Sequence, residues 1–175
     1  MLFWAVGAGA LEITRLNSEA VAESSGAACP GGIMVFSGVL EVKGICLRKN
    51  AVIMPVTEYK GRSYTDIKLL SKILYSRIEA CLSKGACKNK AAAEPVISIA
   101  EIKSLRSKTR VANAETVFDG ELLVTAGVVR SSREPGEVWI AWPEIFTIKN
   151  AALKSKAEQL IKTAYSKTLK DPRTK

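Results

Sequence analysis

The feature that most constrains this chain is that one order of short segments is written twice. Phe36-Ser37-Gly38 opens the run FSGVLEVKGICLRKN, and Phe118-Asp119-Gly120 opens FDGELLVTAGVVRSS. Phe, Gly, Val and Arg stand at matching places in the two runs: Phe36 with Phe118, Gly38 with Gly120, Val42 with Val124, and Arg48 with Arg130. Upstream, Leu11-Glu12-Ile13 is set beside Ala100-Glu101-Ile102, each followed by a leucine, Leu16 and Leu105. Downstream, Val52-Ile53-Met54-Pro55 is set beside Trp139-Ile140-Ala141-Trp142-Pro143. Self-similarity in a fixed order means that one supersecondary unit is used twice.

Each copy reads as a short strand, a long strand, a strand ending at proline, a short strand and a helix. Val39, Glu41 and Lys43 interleave with apolar neighbours, and Val138, Ile140 and Trp142 fall at alternate positions, as in half-buried strands. Leu70, Leu74, Ile78, Cys81 and Leu82 recur at helical spacing, as do Leu153, Ala157, Leu160, Ile161 and Ala164. One apolar stripe per helix packs on one sheet face. The expected fold class is α+β: two tandem modules, each a small antiparallel sheet of about four strands with a C-terminal helix, paired as an intramolecular pseudo-dimer. Residues 1–85 form the first module, 86–96 a linker with Gly85 near the helix end, and 97–175 the second. The copies differ in their loops, with Asn17–Gly32 long in the first and Arg133-Glu134-Pro135-Gly136-Glu137 a turn in the second.

The chain has 175 residues and is 47% apolar, which is enough for a packed core and argues against wholesale disorder. Its formal net charge is +9, which favours polyanionic partners. Residues 1–42 hold only Arg15 against Glu12, Glu19, Glu23 and Glu41, so the basic excess lies beyond them. There is no histidine, which removes the commonest general base and metal ligand. Cys29, Cys46, Cys81 and Cys87 form no C-x-x-C pair, so no zinc site is expected. Cys46 and Cys81 read as buried thiols of a reduced cytosolic chain, with disulfides as the alternative. Apolar Met1–Ala10 is too short to span a bilayer and reads as an extra first strand or an extension on the core.

The segment KGICLRKNAVIMPVTEYKGRSYTDI resembles the SpoVG family (stage V sporulation protein G). Met54-Pro55 matches the family's M-P, Asp66-Ile67 its D-I pair, and Tyr64 an aromatic position. In the second copy Val138–Pro143 looks like the family's L-F-V-A-M-P strand, with Trp142 in place of Met and Thr147-Ile148 where D-I is expected. The resemblance covers roughly residues 11–83 and 97–170. The family is usually a single module, and this chain holds two. It implies a small sheet with a C-terminal helix, dimeric association, and DNA or RNA binding by a bacterial cytoplasmic regulator of septation and sporulation.

The family's basic pair after M-P is absent here, since Val56, Thr57 and Glu58 follow Pro55. Lys60 and Arg62 in the same loop are the expected substitutes, against the plainer possibility of a solvated turn at Gly61. Lys103, Arg106, Lys108 and Arg110 form a denser basic cluster, read as a phosphate clamp against the alternative of a common solubilising loop, with Lys84, Lys88 and Lys90 in the linker able to join it. The lysines of the last helix spread around its polar arc like an ordinary solvated face, and Arg173 and Lys175 add a basic tail. Tyr59, Tyr64, Trp139 and Trp142 are stacking candidates. The two tryptophans point to opposite sides of a strand and are expected in the core or between modules.

No catalytic constellation is present: no G-x-S-x-G, P-loop or His-based triad, and Gly7 and Gly9 do not make a Rossmann loop. No enzyme, cofactor, metal or membrane partner is expected. The expected function is phosphate-dominated nucleic-acid binding, with further homo-oligomers open. The alternative class is a protein-interaction module in division or envelope regulation.

Overall fold

The computed structural model describes residues 10–17, 31–84, 87, 93–134 and 136–170. The first half contributes β1 (Ile13–Asn17), β2 (Gly32–Phe36), β3 (Leu40–Arg48), β4 (Ala51–Ile53), β5 (Thr57–Tyr59), β6 (Arg62–Tyr64), β7 (Ile67–Leu69) and α1 (Lys72–Lys84). The second contributes β8 (Ile97–Ser104), β9 (Arg110–Phe118), β10 (Leu122–Arg130), β11 (Val138–Ala141), β12 (Phe146–Ile148) and α2 (Ala151–Lys170). The expected strand or extension at Met1–Ala10, except Ala10 itself, and most of the long loop from Asn17 to Gly32 lie outside the described residues.

Two matching turns begin the architecture. Ser37 and Gly38 have φ of 48° and 70°, and Asp119 and Gly120 have 49° and 69°. Positive φ at both central residues is the type I′ condition, whose twist suits two antiparallel strands. The turns join β2 to β3 and β9 to β10. A Cβ at Gly38 or Gly120 would meet nothing within 4 Å, so glycine is favoured there by backbone conformation and not by crowding.

The two main sheets are antiparallel and five-stranded, and each is completed by a strand from the other half. β1, β2, β3 and β4 are joined by β12; β8, β9, β10 and β11 are joined by β7. The registers correspond. Ile67 stands opposite Val124 and Leu69 opposite Leu122, while Phe146 stands opposite Val42 and Ile148 opposite Leu40. The flanking backbone bonds correspond too. The Thr125 N–H donates to the Asp66 carbonyl (2.7 Å) and the Lys43 N–H to the Ile145 carbonyl (2.9 Å). At the other ends, the Leu70 N–H donates to the Glu121 carbonyl and the Lys149 N–H to the Val39 carbonyl, both at 2.8 Å.

The crossing strands carry core side chains. Ile67, Phe146 and Ile148 are buried in a cluster that holds Phe36, Leu40 and Val42 from one half with Phe118, Leu122 and Val124 from the other. Both helices add to it, α1 through Leu74 and Ile78, and α2 through Leu153 and Ala157. A second cluster, wholly from the second half, sets Ile161 and Tyr165 of α2 against Ala112, Ala114, Ala126, Val128 and Ile140. Both helices start on side-chain caps: the Ser71 hydroxyl accepts the Leu74 N–H (3.2 Å) and the Asn150 side-chain carbonyl accepts the Leu153 N–H (2.9 Å). Leu70 lies ahead of α1 and is exposed, Leu160 sits at the exposed edge of its stripe, and Tyr165 extends the buried face of α2.

Among the described residues, ion pairs also tie the halves together: Lys149 pairs with Glu41, and a larger contact is built on Arg77. Arg77 of α1 donates through Nη2 to both carboxylate oxygens of Glu121 at 3.1 and 3.0 Å, and its Nη1 lies 3.6 Å from Glu12. Glu121 also accepts the Leu11 N–H at 2.7 Å. A charge-assisted bond between partly buried groups is screened less than a surface ion pair.

Three expectations are corrected. Ile13 lies opposite Phe36 and Ile97 opposite Phe118, so the counterpart of Glu12 is Val96, not Glu101; β8 is longer and carries an irregularity between Ile99 and Glu101 that displaces the A-E-I string. The counterpart of Asp66-Ile67 is Ile145-Phe146, not Thr147-Ile148, because Ile67 and Phe146 occupy the same register against Val124 and Val42. The described cysteines, Cys46, Cys81 and Cys87, are not free thiols. Cys81 and Cys87 form a disulfide with Cα atoms 4.7 Å apart, and Cys46 is also disulfide-bonded.

Two outcomes are expected. Phe146→Ala should cost about 3–5 kcal/mol in urea unfolding, as for a large side chain removed from a packed core; a loss under about 1 kcal/mol would mean that β12 is not held by this packing. Asp119 provides the second. Burial raises its carboxyl pKa, opposed by the Val96 N–H it accepts at 2.8 Å, and the nearby Glu121 charge adds to the rise. A raised carboxyl pKa favours the protonated folded form, so this penalty grows as pH climbs through the carboxylate range and vanishes below it. Asp119→Asn keeps the acceptor and suits a positive φ. It should raise the melting temperature at neutral pH, with a smaller gain in acid; a gain that grew on acidification would contradict this.

Candidate nucleic-acid interface

Between β4 and β7 the chain builds a separate hairpin. Pro55 ends β4 by removing a ladder donor and packs, buried, beside Gly44. Gly44 has φ of 88°, and a Cβ there would come within 3.1 Å of the Pro55 Cβ, so both backbone and space call for glycine. The chain then runs out through β5, turns, and returns through β6. Lys60 and Gly61 form the turn with φ of 50° and 71°, again the type I′ condition. The hairpin pairs with neither main sheet and is its own two-stranded unit. It leads from the sheet that holds β4 to the sheet that receives β7.

Register decides what it displays. Thr57 stands opposite Tyr64 and Tyr59 opposite Arg62, while Glu58 stands opposite Ser63. Side chains alternate faces along a strand, so Tyr59, Arg62 and Tyr64 share one face, and Glu58 points to the other with Ser63. Tyr59 is 61% exposed and Tyr64 43%. The Lys60 ammonium lies 5.3 Å from the centre of the Tyr59 ring, within cation–π range. The two expected loop cations, Lys60 and Arg62, are therefore brought together with two aromatic rings at one tip.

The second basic cluster is dispersed. Lys103 is in β8 on the open sheet face, 3.1 Å from Glu101 and 3.0 Å from Glu115. Hydrogen bonds to Glu115 and then Glu101 raise its pKa, and the same carboxylates offset its charge. Arg110 opens β9, and its Nε donates to the Asn113 side-chain oxygen at 2.8 Å. Its guanidinium lies across Gly127, where a Cβ would come within 2.8 Å of that nitrogen. Glycine at 127 thus makes room for the arginine on the sheet. Arg106 and Lys108 are exposed in the β8–β9 loop. Of the four, these two are presented to solvent without the carboxylate neighbours that hold Lys103.

The helix lysines follow the solvated-face pattern: Lys154 is 3.9 Å from Glu158 and Lys156 is 3.7 Å from Glu94. Lys88, Lys90, Arg173 and Lys175 lie outside the described residues. The two tryptophans do lie on opposite sides. Trp142 packs between Phe118 (6.5 Å between centroids) and Phe146 (5.5 Å) and donates to Glu158 at 3.2 Å. Trp139, expected in the core or between modules, is instead 52% exposed, because its register opposite Val129 sets it on the open face while Ile140 takes the buried side.

Sequence reasoning did not single out one further basic tip. Lys49 and Asn50 have φ of 48° and 59° and turn β3 into β4, with Arg48 and Lys49 exposed. A lysine-asparagine pair between two apolar runs was the available signal. Among the described residues no group of His, Cys, Asp or Glu is arranged to hold a metal, and no helix is long and apolar enough to cross a membrane. Compared with known proteins, the chain matches no family model, no curated protein and no solved structure.

Proposed function

We propose that this chain is a nucleic-acid-binding regulator of SpoVG-like type, acting without catalysis and contacting its partner mainly through phosphate. The carrying observation is the β5–β6 hairpin, with Lys60, Arg62, Tyr59 and Tyr64 at one exposed tip. Lysine and arginine neutralise phosphates and release counterions, which supplies most sequence-independent affinity. The net charge of +9 favours such a partner at longer range. Arg106 and Lys108 are a secondary contact in this scheme, and Lys103 contributes little because its charge is already matched.

The resemblance to the family supplies the process, control of septation and sporulation. The chain then reads as two family modules fused into an intramolecular pseudo-dimer, and the reciprocal pairing of β7 with β10 and β12 with β3 supports that reading. Fusion would keep each half at high effective concentration for the other. A cytoplasmic location belongs to the same proposal and carries a condition. Disulfides are opened in a reducing cytosol, so binding there must not depend on the Cys81–Cys87 bridge.

The exposed Ile73 beside Leu70 favours a second reading, a protein-interaction module that needs no nucleic acid. A titration separates the two. Affinity for a DNA duplex should fall by orders of magnitude between about 50 and 200 mM salt if several phosphates are contacted. Replacing Lys60 and Arg62 together by glutamine should lower the log–log salt slope by about 2, whereas Lys103→Gln should leave it within about 0.5. The same affinity is expected with dithiothreitol present. No binding at low salt would favour the interaction module.

A further inference from the structure

The hairpin displays more than charge. A duplex keeps its bases stacked on one another and offers a protein only their edges and the phosphates, whereas an unpaired strand offers the flat faces as well. Tyr59 and Tyr64 are both exposed, and neither belongs to a core cluster. Leaving such rings in water forgoes the stabilisation that burial gives. They are placed diagonally across the β5–β6 pair, which sets them about 7–8 Å apart at the backbone, within the reach of consecutive bases.

The charges are sorted as stacking requires. Arg62 shares the ring face, Lys60 leans over Tyr59, and Glu58, the one carboxylate of the hairpin, is on the opposite side. An anion approaching the rings therefore meets cations and no carboxylate from the hairpin itself.

We propose that the Tyr59–Tyr64 face selects single-stranded nucleic acid, stacking unpaired bases on the two rings while Lys60 and Arg62 hold the adjoining phosphates. This rests on the nucleic-acid reading above and adds the class of strand. DNA and RNA share the chemistry, since every base has a π face.

The test uses the full chain, an oligothymidine of about 20 nucleotides and a mixed-sequence duplex of the same length, read by fluorescence anisotropy at one salt concentration. The wild-type chain should bind the oligothymidine more tightly than the duplex. The double substitution Tyr59→Leu and Tyr64→Leu should weaken oligothymidine binding about tenfold or more and leave duplex binding within about twofold, while Tyr59→Phe with Tyr64→Phe keeps the preference. Both tyrosines are exposed, so the variants should fold, and circular dichroism checks this. Equal wild-type affinity for both strands, or a leucine variant that weakens neither or both alike, overturns the single-strand inference and leaves nucleic-acid binding standing. Absence of wild-type binding to either probe removes both.

Discussion

β7 and β12 are short, and the rest of the structure depends on where they pair. The first halves of β3 and β10 carry Leu40, Val42, Leu122 and Val124 into the shared core. Without a neighbour on that side, each would present unpaired backbone groups beside buried apolar side chains, a costly arrangement. The neighbour in each case comes from the other half. Sheet completion and core closure are thus one event, because Ile67, Phe146 and Ile148 arrive with the strands that supply the hydrogen bonds. The helices follow directly: Ser71 and Asn150 cap them just after β7 and β12, so each helix starts where its crossing strand ends.

The exchange is matched, but what surrounds it is not. On one side of the crossing, the chain between β4 and β7 is long enough for the β5–β6 hairpin. On the other, β11 reaches β12 through a turn closed by the Phe146 N–H donating to the Pro143 carbonyl at 2.9 Å. The Arg77–Glu121–Glu12 contact is one-sided in the same way, since Val39 and Val96 stand where a second glutamate pair would be needed. The candidate binding features are therefore concentrated where the first half departs from the second. A framework held by paired strands can carry such a difference because the hairpin contributes nothing to either core cluster.

The sequence made much of the framework legible. Phe36 and Phe118, Gly38 and Gly120, and Val42 and Val124 recur because each pair occupies one place in a turn or register. Helix stripes were readable from their spacing, with Tyr165 missed because an aromatic with a polar tip does not announce itself as core. Which sheet β7 and β12 join was not legible residue by residue, because three-residue strands carry no periodicity. The irregularity in β8 misled the A-E-I match by separating string position from register. At the candidate site, Lys60 and Arg62 could be named from composition, but their shared tip with Tyr59 and Tyr64 depends on the turn that sets register. The same limit worked in reverse for Lys103 and Arg110, because Glu115 reaches Lys103 and Gly127 seats Arg110 from neighbouring strands.

Native-state hydrogen exchange tests the crossing most directly. The informative amides are Lys43, Leu70, Thr125 and Lys149, which donate at the ends of the two exchanged pairs. If each half is completed only by the other, all four should exchange through one opening, with the free energy of global unfolding measured by denaturant. If Thr125 and Leu70 open at a distinctly lower free energy than Lys43 and Lys149, or the reverse, the halves stand independently and the reciprocal strands are accessory.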